Sequence, residues 1–203
     1  MRKDIFEERE RAEEAVYFAS QEEKLIEKLR ENARLEEIVK ALAESLQANN
    51  PELLRRAMAL GITLETGAAF LLAPLVQVAW AEGKMKDRER DAVLRLARAR
   101  GVEEHSPADS QLRDWLRRRP ADALFDAAME VIKAGLSVLP PDLREERIRG
   151  IVQACHEVAE SSGGLARVLG LRSGVSHKEE TLLDAITVSL RNDVGSEKGG
   201  ARS

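Results

Sequence analysis

Charge crowds one end of this chain. Of the first 40 residues, nine are basic and twelve acidic. From Arg2 to Lys24 the only large apolar side chains are Ile5, Phe6, Val16, Tyr17 and Phe18. That is too few to bury a continuous face, so this stretch cannot build a core of its own. Its helix propensity is nonetheless high, and Glu7 and Arg11 stand at the four-residue spacing that supports a helix. An exposed helical arm is expected here. From Leu25 the pattern changes. Leu25, Leu29, Leu35, Ile38, Val39, Leu42 and Leu46 recur at helical intervals, which gives an amphipathic helix able to dock. Asn49-Asn50-Pro51 stops it, with Asn50 as N-cap and Pro51 opening the next helix.

Beyond residue 50 the punctuation is that of a helical bundle. One helix is expected from about Glu52 to Leu60, ended by Gly61, and an apolar one from Gly67 to Glu82, ended by Gly83. Asp87 is positioned to cap a helix carrying Val93, Leu94, Leu96 and Ala97 and ending at Gly101. Ser106-Pro107 opens another, closed by Arg117-Arg118-Arg119 and Pro120. Basic residues in a last turn complement the helix dipole, which accounts for that triplet without nucleic acid. Phe125, Met129, Ile132, Leu136 and Leu139 follow at helical spacing up to Pro140-Pro141. Ile148, Ile151, Val152, Cys155 and Ala159 mark a further helix. Gly164 to Leu171 is read as a short helix inside a longer loop. Ser176 to Glu179 forms a capping box before Leu182, Leu183, Ile186 and Leu190. Phe70, Trp80, Trp115 and Phe125 lie in these stripes and are assigned to the core.

The fold class expected is all-α: a bundle of about seven to nine helices with a long N-terminal arm. The arm is residues 1–48, the bundle 51–191, and 192–203 a polar, disordered tail. The predominance of Ala, Leu, Glu and Arg agrees with this, as does the scarcity of β-branched residues. One cysteine in 203 residues excludes a disulfide framework. A formal net charge of -4 and a pI near 5.6 argue against a nucleic-acid binder. The longest uncharged run, Gly67 to Ala81, is too short to cross a bilayer and contains Pro74. With no apolar leader at the start, a cytoplasmic protein without membrane insertion is expected.

A weak internal echo runs through the bundle. Leu75-Val76-Gln77 reappears as Ile151-Val152-Gln153, and Ala81-Glu82-Gly83 as Ala159-Glu160 ahead of Gly163-Gly164. Each is followed by an acidic helix start, which suggests a repeat of two helical hairpins. The segment Ala81 to Gly101, with Ala81, Glu82, Gly83, Met85 and Glu89 at the matching positions, resembles the TerB-like (tellurite-resistance) helical domain. That resemblance would cover roughly residues 52–190. It implies an all-α bundle and, for some members, a stress-response module that binds a divalent cation through acidic residues near these loops; here those would be Glu82 and Glu89.

The arm carries a second resemblance. Phe6, Arg9, Glu10, Ala12, Glu13, Glu14, Tyr17 and Phe18 stand as in the inhibitory segment of the mitochondrial F1-ATPase inhibitor protein. "FEERERA" is also similar to the start of the zeta-type inhibitor subunit of bacterial ATP synthases. The resemblance implies a non-enzymatic regulator whose arm enters the F1-ATPase head and blocks hydrolysis. Tyr17 and Phe18 would be the buried anchors, and Glu13 and Glu14 would pair with basic residues of the cleft. Two adjacent aromatics amid charge are in any case the kind of anchor a partner groove selects. The competing expectation docks Tyr17 and Phe18 on the bundle of the same chain. Self-association is left open.

Catalytic signals are poor. His156-Glu157 with Glu160 lacks the second histidine of the zinc-protease motif. Cys155 falls on an apolar stripe, His105, His156 and His177 are scattered, and no phosphate-binding glycine loop occurs. No catalytic residue and no cofactor are assigned. The carboxylates Glu65, Glu82, Glu89, Glu157 and Glu160 are the remaining candidates for a cation, with solvated helix ends as the simpler reading.

Overall fold

A computed structural model of the chain describes residues 2–161 and 175–192, without the side chains of residues 2–16 and 18. Nine α-helices and no strand occur among these residues. They are α1 (Arg2–Asn49), α2 (Pro51–Ala59), α3 (Gly67–Leu71), α4 (Ala73–Ala79), α5 (Asp87–Arg98), α6 (Pro107–Arg117), α7 (Asp122–Ser137), α8 (Pro141–Ser161) and α9 (His177–Asn192). The helix expected over 164–171 and the tail from residue 193 lie outside the described residues.

The arm and the docking segment form one 48-residue helix, α1. Its second half packs on the bundle. Val39 and Leu46 are buried, with Leu35 and Leu42 packed beside them against α2 and α3, and Leu42 lies next to Gly135 of α7. Leu25 and Leu29, expected in the docked stripe, are 58% and 53% exposed, and Ile38 is 43% exposed. For Leu25 and Leu29 the reason is the bundle's edge. Gly101, in the loop after α5, abuts the backbone of Glu31 and Asn32. Every residue from Gln21 to Arg30 lies beyond that edge and is exposed.

Most of the expected helix boundaries are present. Asn50 caps α2, its side-chain oxygen accepting the Leu53 N–H at 3.2 Å. Ser106 caps α6 by accepting the Asp109 N–H at 3.2 Å, and Pro51 and Pro107 occupy first turns, where a missing N–H costs nothing. Gly61, Gly83 and Gly101 end their segments at φ of +82°, +82° and +87°, a conformation glycine adopts without strain. The apolar segment 67–82 differs from expectation. It is two helices meeting at Leu72, because Pro74 offers no N–H and its ring crowds the carbonyl one turn back. Asp87 also differs. It is the first helical residue rather than the cap, which is Lys86.

α4 is the centre of the core. Leu75, Val76 and Val78 have at most 2% of their surface exposed, and α5, α6, α7, α8 and α9 all pack around this helix. Phe70, Trp115 and Phe125 are buried as expected. Trp80 is half-buried and donates its indole N–H to the Trp115 carbonyl at 2.9 Å, tying the end of α4 to α6. No helix among the described residues is long and apolar enough to cross a membrane.

Candidate functional site

Two places on the molecule combine features that packing alone does not require. The first is α1 and the groove beside it. Between α1, α2, α3 and α7 lies an open apolar groove of about 650 Å³, walled by Leu42, Leu54, Met58, Leu64, Phe70 and Leu71. Met58 and Leu64 are more than 60% exposed at its rim. The groove's volume and lining are in the range of binding clefts. Upstream on α1, the exposed stretch Gln21–Arg30 presents Leu25, Ile26 and Leu29 to solvent. Of the residues carried by the inhibitor-like motif, Tyr17 is 62% exposed. Phe6, Arg9, Glu10, Glu13, Glu14 and Phe18 have side chains outside those described, on a backbone that is helical throughout.

The second place is a carboxylate cluster where α5 and α9 begin. Glu89 and Glu179 are each the third residue of their helix and each only 1% exposed. Glu89 accepts the Lys86 N–H at 2.9 Å, and Glu179 accepts the Ser176 N–H at 2.6 Å. The two carboxylates therefore do the same local work at corresponding points of the two hairpins, which gives the sequence echo a structural counterpart. Sequence reading found the Ser176 box but missed the Glu89 contact at Lys86, which is half of such a box, because lysine carries no acceptor and is not a cap signal. Glu82 and Glu89 are indeed brought together, but around Lys86: its ammonium lies 2.7 Å from Glu82 and 3.5 Å from Glu89.

The charges in this cluster are unequal. The hydrogen bond from Lys86 holds the Glu82 carboxyl below its ordinary value against a smaller opposing effect of burial. Burial pushes Glu89 above its ordinary value of 4.5, with the nearby charge of Glu179 adding to it and Lys86 opposing. Burial alone would lower Lys86, but Glu82, Glu89 and Glu179 outweigh it and raise the ammonium. A divalent ion would need the position that this ammonium holds, and its charge supplies what a cation would supply. Among the described residues no group of three or more His, Cys, Asp or Glu is arranged to hold a metal. The donor set does not fit a divalent cation.

The raised value of Glu89 has a consequence for stability. Its contribution is fully present below pH 4.5 and is lost as pH rises through the higher folded value. Glu89→Gln keeps an acceptor for the Lys86 N–H and cannot ionise. Its stability relative to wild type is expected to improve between about pH 4 and about pH 7, as read by urea unfolding across that range. A difference that is flat or falls with pH contradicts this account.

The remaining candidates do not assemble. Cys155 is fully buried, and burial pushes its thiol up to about 12, which removes it as a nucleophile at neutral pH. His156 and His177 are exposed, on α8 and α9. Glu157 pairs with Arg95 at 3.5 Å, while Glu65 is exposed in the turn before α3. In the basic triplet, Arg117 pairs with Asp114 at 3.1 Å. Arg119 pairs with Asp122 and lies over the Phe125 ring, 5.4 Å from its centre. Comparison with protein-family models, curated proteins and solved structures finds no match to this chain.

Proposed function

We propose that this chain is a non-enzymatic regulatory protein that engages a protein partner through its N-terminal helix, with the F1-ATPase head as the specific candidate for residues 6–18. The observation that carries the reading is the exposed stretch Gln21–Arg30. It continues a helix whose second half is docked, yet it presents three large apolar side chains to water. A helix surrounded by solvent on all sides gains no packing, and a polar one is held only by local pairs. Two exposed leucines one turn apart, with a tyrosine two turns earlier, are anchors suited to a groove. The resemblance of Phe6 to Phe18 to the inhibitory segment supplies the candidate. The Lys86 ammonium between Glu82 and Glu89 favours this regulator over a metal module. The alternative, in which the arm is only a docked part of a stress-response bundle, is met by residues 35–46 of α1 and not by 21–30.

The test is ATP hydrolysis by F1 with added full-length protein and with a peptide of residues 1–46. The expected result is inhibition that Tyr17→Ala together with Phe18→Ala weakens at least tenfold, since buried aromatic anchors carry about 2 kcal/mol or more each. No inhibition by either at high micromolar concentration removes the F1-ATPase reading.

A further inference from the structure

We propose that the groove beside α1 receives the arm of a second copy of this chain, so that two α1 helices pair antiparallel about a two-fold axis at Glu36. This goes beyond the reading above: it shares the exposed stretch 21–30 with it, assigns Leu25 and Leu29 to a second copy, and does not use the outer motif.

The argument begins with helix geometry. Ala43 and Gln47 of α1 open onto the groove, and Leu25 and Leu29 stand 18 residues before them. At 3.6 residues per turn this separation is about five whole turns, or roughly 27 Å. Leu25 and Ala43 therefore lie on the same side of α1, as do Leu29 and Gln47. One side of a single helix carries an exposed pair of leucines at one end and an open apolar groove at the other.

A second copy satisfies both ends with one operation. In an antiparallel pair centred on Glu36, Leu25 of one copy comes opposite Gln47 of the other, and Leu29 opposite Ala43. The same register serves both pairs, and the symmetry repeats them at the far end. This makes the contact isologous and closed, the commonest way for one surface to meet itself.

Charge agrees with this register. Glu36 and Lys40, both exposed, lie on the shared side of α1, one turn apart. Across the axis each Glu36 comes within a turn of the other copy's Lys40, so the two glutamates that meet at the centre are flanked by two lysines. Pairing also gives the stretch 21–30 the packing that its own chain does not provide.

The experiment is sedimentation equilibrium on the full-length protein over a wide concentration range. The expected mass is twice that of the 22.5 kDa chain. Leu25→Asp with Leu29→Asp alters the arm, and Met58→Asp alters the groove rim. All three sites are more than half exposed, so melting temperatures should stay close to wild type while the dissociation constant rises at least about 100-fold in the double variant. Register is read by cross-linking with a short bismaleimide. The double variant Leu29→Cys/Ala43→Cys is expected to link two copies, while Leu29→Cys alone should not. The buried Cys155 stays silent. A chain that is monomeric at all concentrations, an aspartate arm variant that still dimerises, or links formed by Leu29→Cys alone would overturn the proposal. The two readings fail separately, because the ATPase assay is scored by Tyr17→Ala with Phe18→Ala, which leaves Leu25, Leu29 and the groove intact.

Discussion

Replacing Asp109 by alanine is expected to cost the fold about 3 kcal/mol, measured by urea unfolding at neutral pH. Asp109 is the third residue of α6 and is 1% exposed. Arg113 donates its Nε–H to one carboxylate oxygen at 2.9 Å, and Arg98 lies 2.9 Å from the other. The first oxygen also accepts the His105 N–H at 3.0 Å. His105 is held at φ +64°, the one left-handed non-glycine residue among those described. One carboxylate thus anchors α6, the end of α5 and the turn between them. Removing one partner of a buried ion pair costs about 3–5 kcal/mol, because the other charge is left without compensation. Here Arg98 and Arg113 are 28% and 36% exposed and can recover water, which places the cost at the lower end.

Two further results separate charge from shape at this site. Asp109→Asn keeps an acceptor for the His105 amide and should lose about half as much. Burial pushes the Asp109 carboxyl up, but Arg113, the His105 amide and Arg98 together overcome it and hold the group below its ordinary value of 3.8. Its stabilising contribution is therefore present above that pH and is lost as pH falls through the lower folded value. The gap between wild type and Asp109→Ala should narrow under those acid conditions. A loss below about 1 kcal/mol at neutral pH would show that the arginines do not depend on this carboxylate.

Asp109 illustrates what sequence can and cannot reveal in this chain. Its place in the first turn of α6 was readable from Ser106-Pro107, since caps and first-turn prolines are local chemistry. Its burial between arginines from two helices was not, because a first-turn acid looks the same whether solvated or enclosed. The turns at Gly61, Gly83 and Gly101 were readable for the same local reason, and so were the stripes of α7, α8 and α9. The docking of α1 was only half readable. Leu25 and Leu29 read as one stripe with Leu35, Val39 and Leu42. The six-residue step from Leu29 to Leu35 turns them instead toward the side of Ala43 and Gln47, and a stripe does not show the surface that covers it. Where cover ends is set by the loop at Gly101, far away in sequence. The groove was invisible for a related reason, as its walls come from four helices. The pairing of Glu82 and Glu89 around Lys86 lay between these cases. Both acids were visible candidates, while the ammonium between them carried no signal.

Gly101→Ala tests where the arm leaves the bundle, and its expected cost is about 2–5 kcal/mol. Two effects add. At φ +87° a side chain of ordinary handedness costs about 1–2 kcal/mol. The new methyl would then stand 2.6 Å from the Glu31 carbonyl oxygen and 3.0 Å from the Asn32 nitrogen. Both are backbone atoms inside a continuous helix, so relief requires α1 itself to move, and overpacking of this kind adds about 1–3 kcal/mol. Gly61→Ala and Gly83→Ala separate the two effects. Each has φ +82° with nothing within 4 Å of the added carbon, so each should show the conformational cost alone. In a chain of this size the excess at Gly101 corresponds to roughly 2–4 °C of melting temperature per kcal/mol. Movement of α1 should also loosen Leu35, Val39 and Leu42, seen as faster amide exchange through the docked half of the helix. If Gly101→Ala matched the other two glycine variants, α1 would not be held against this loop. The division of the helix into a docked half and a presented half would then fail at its boundary.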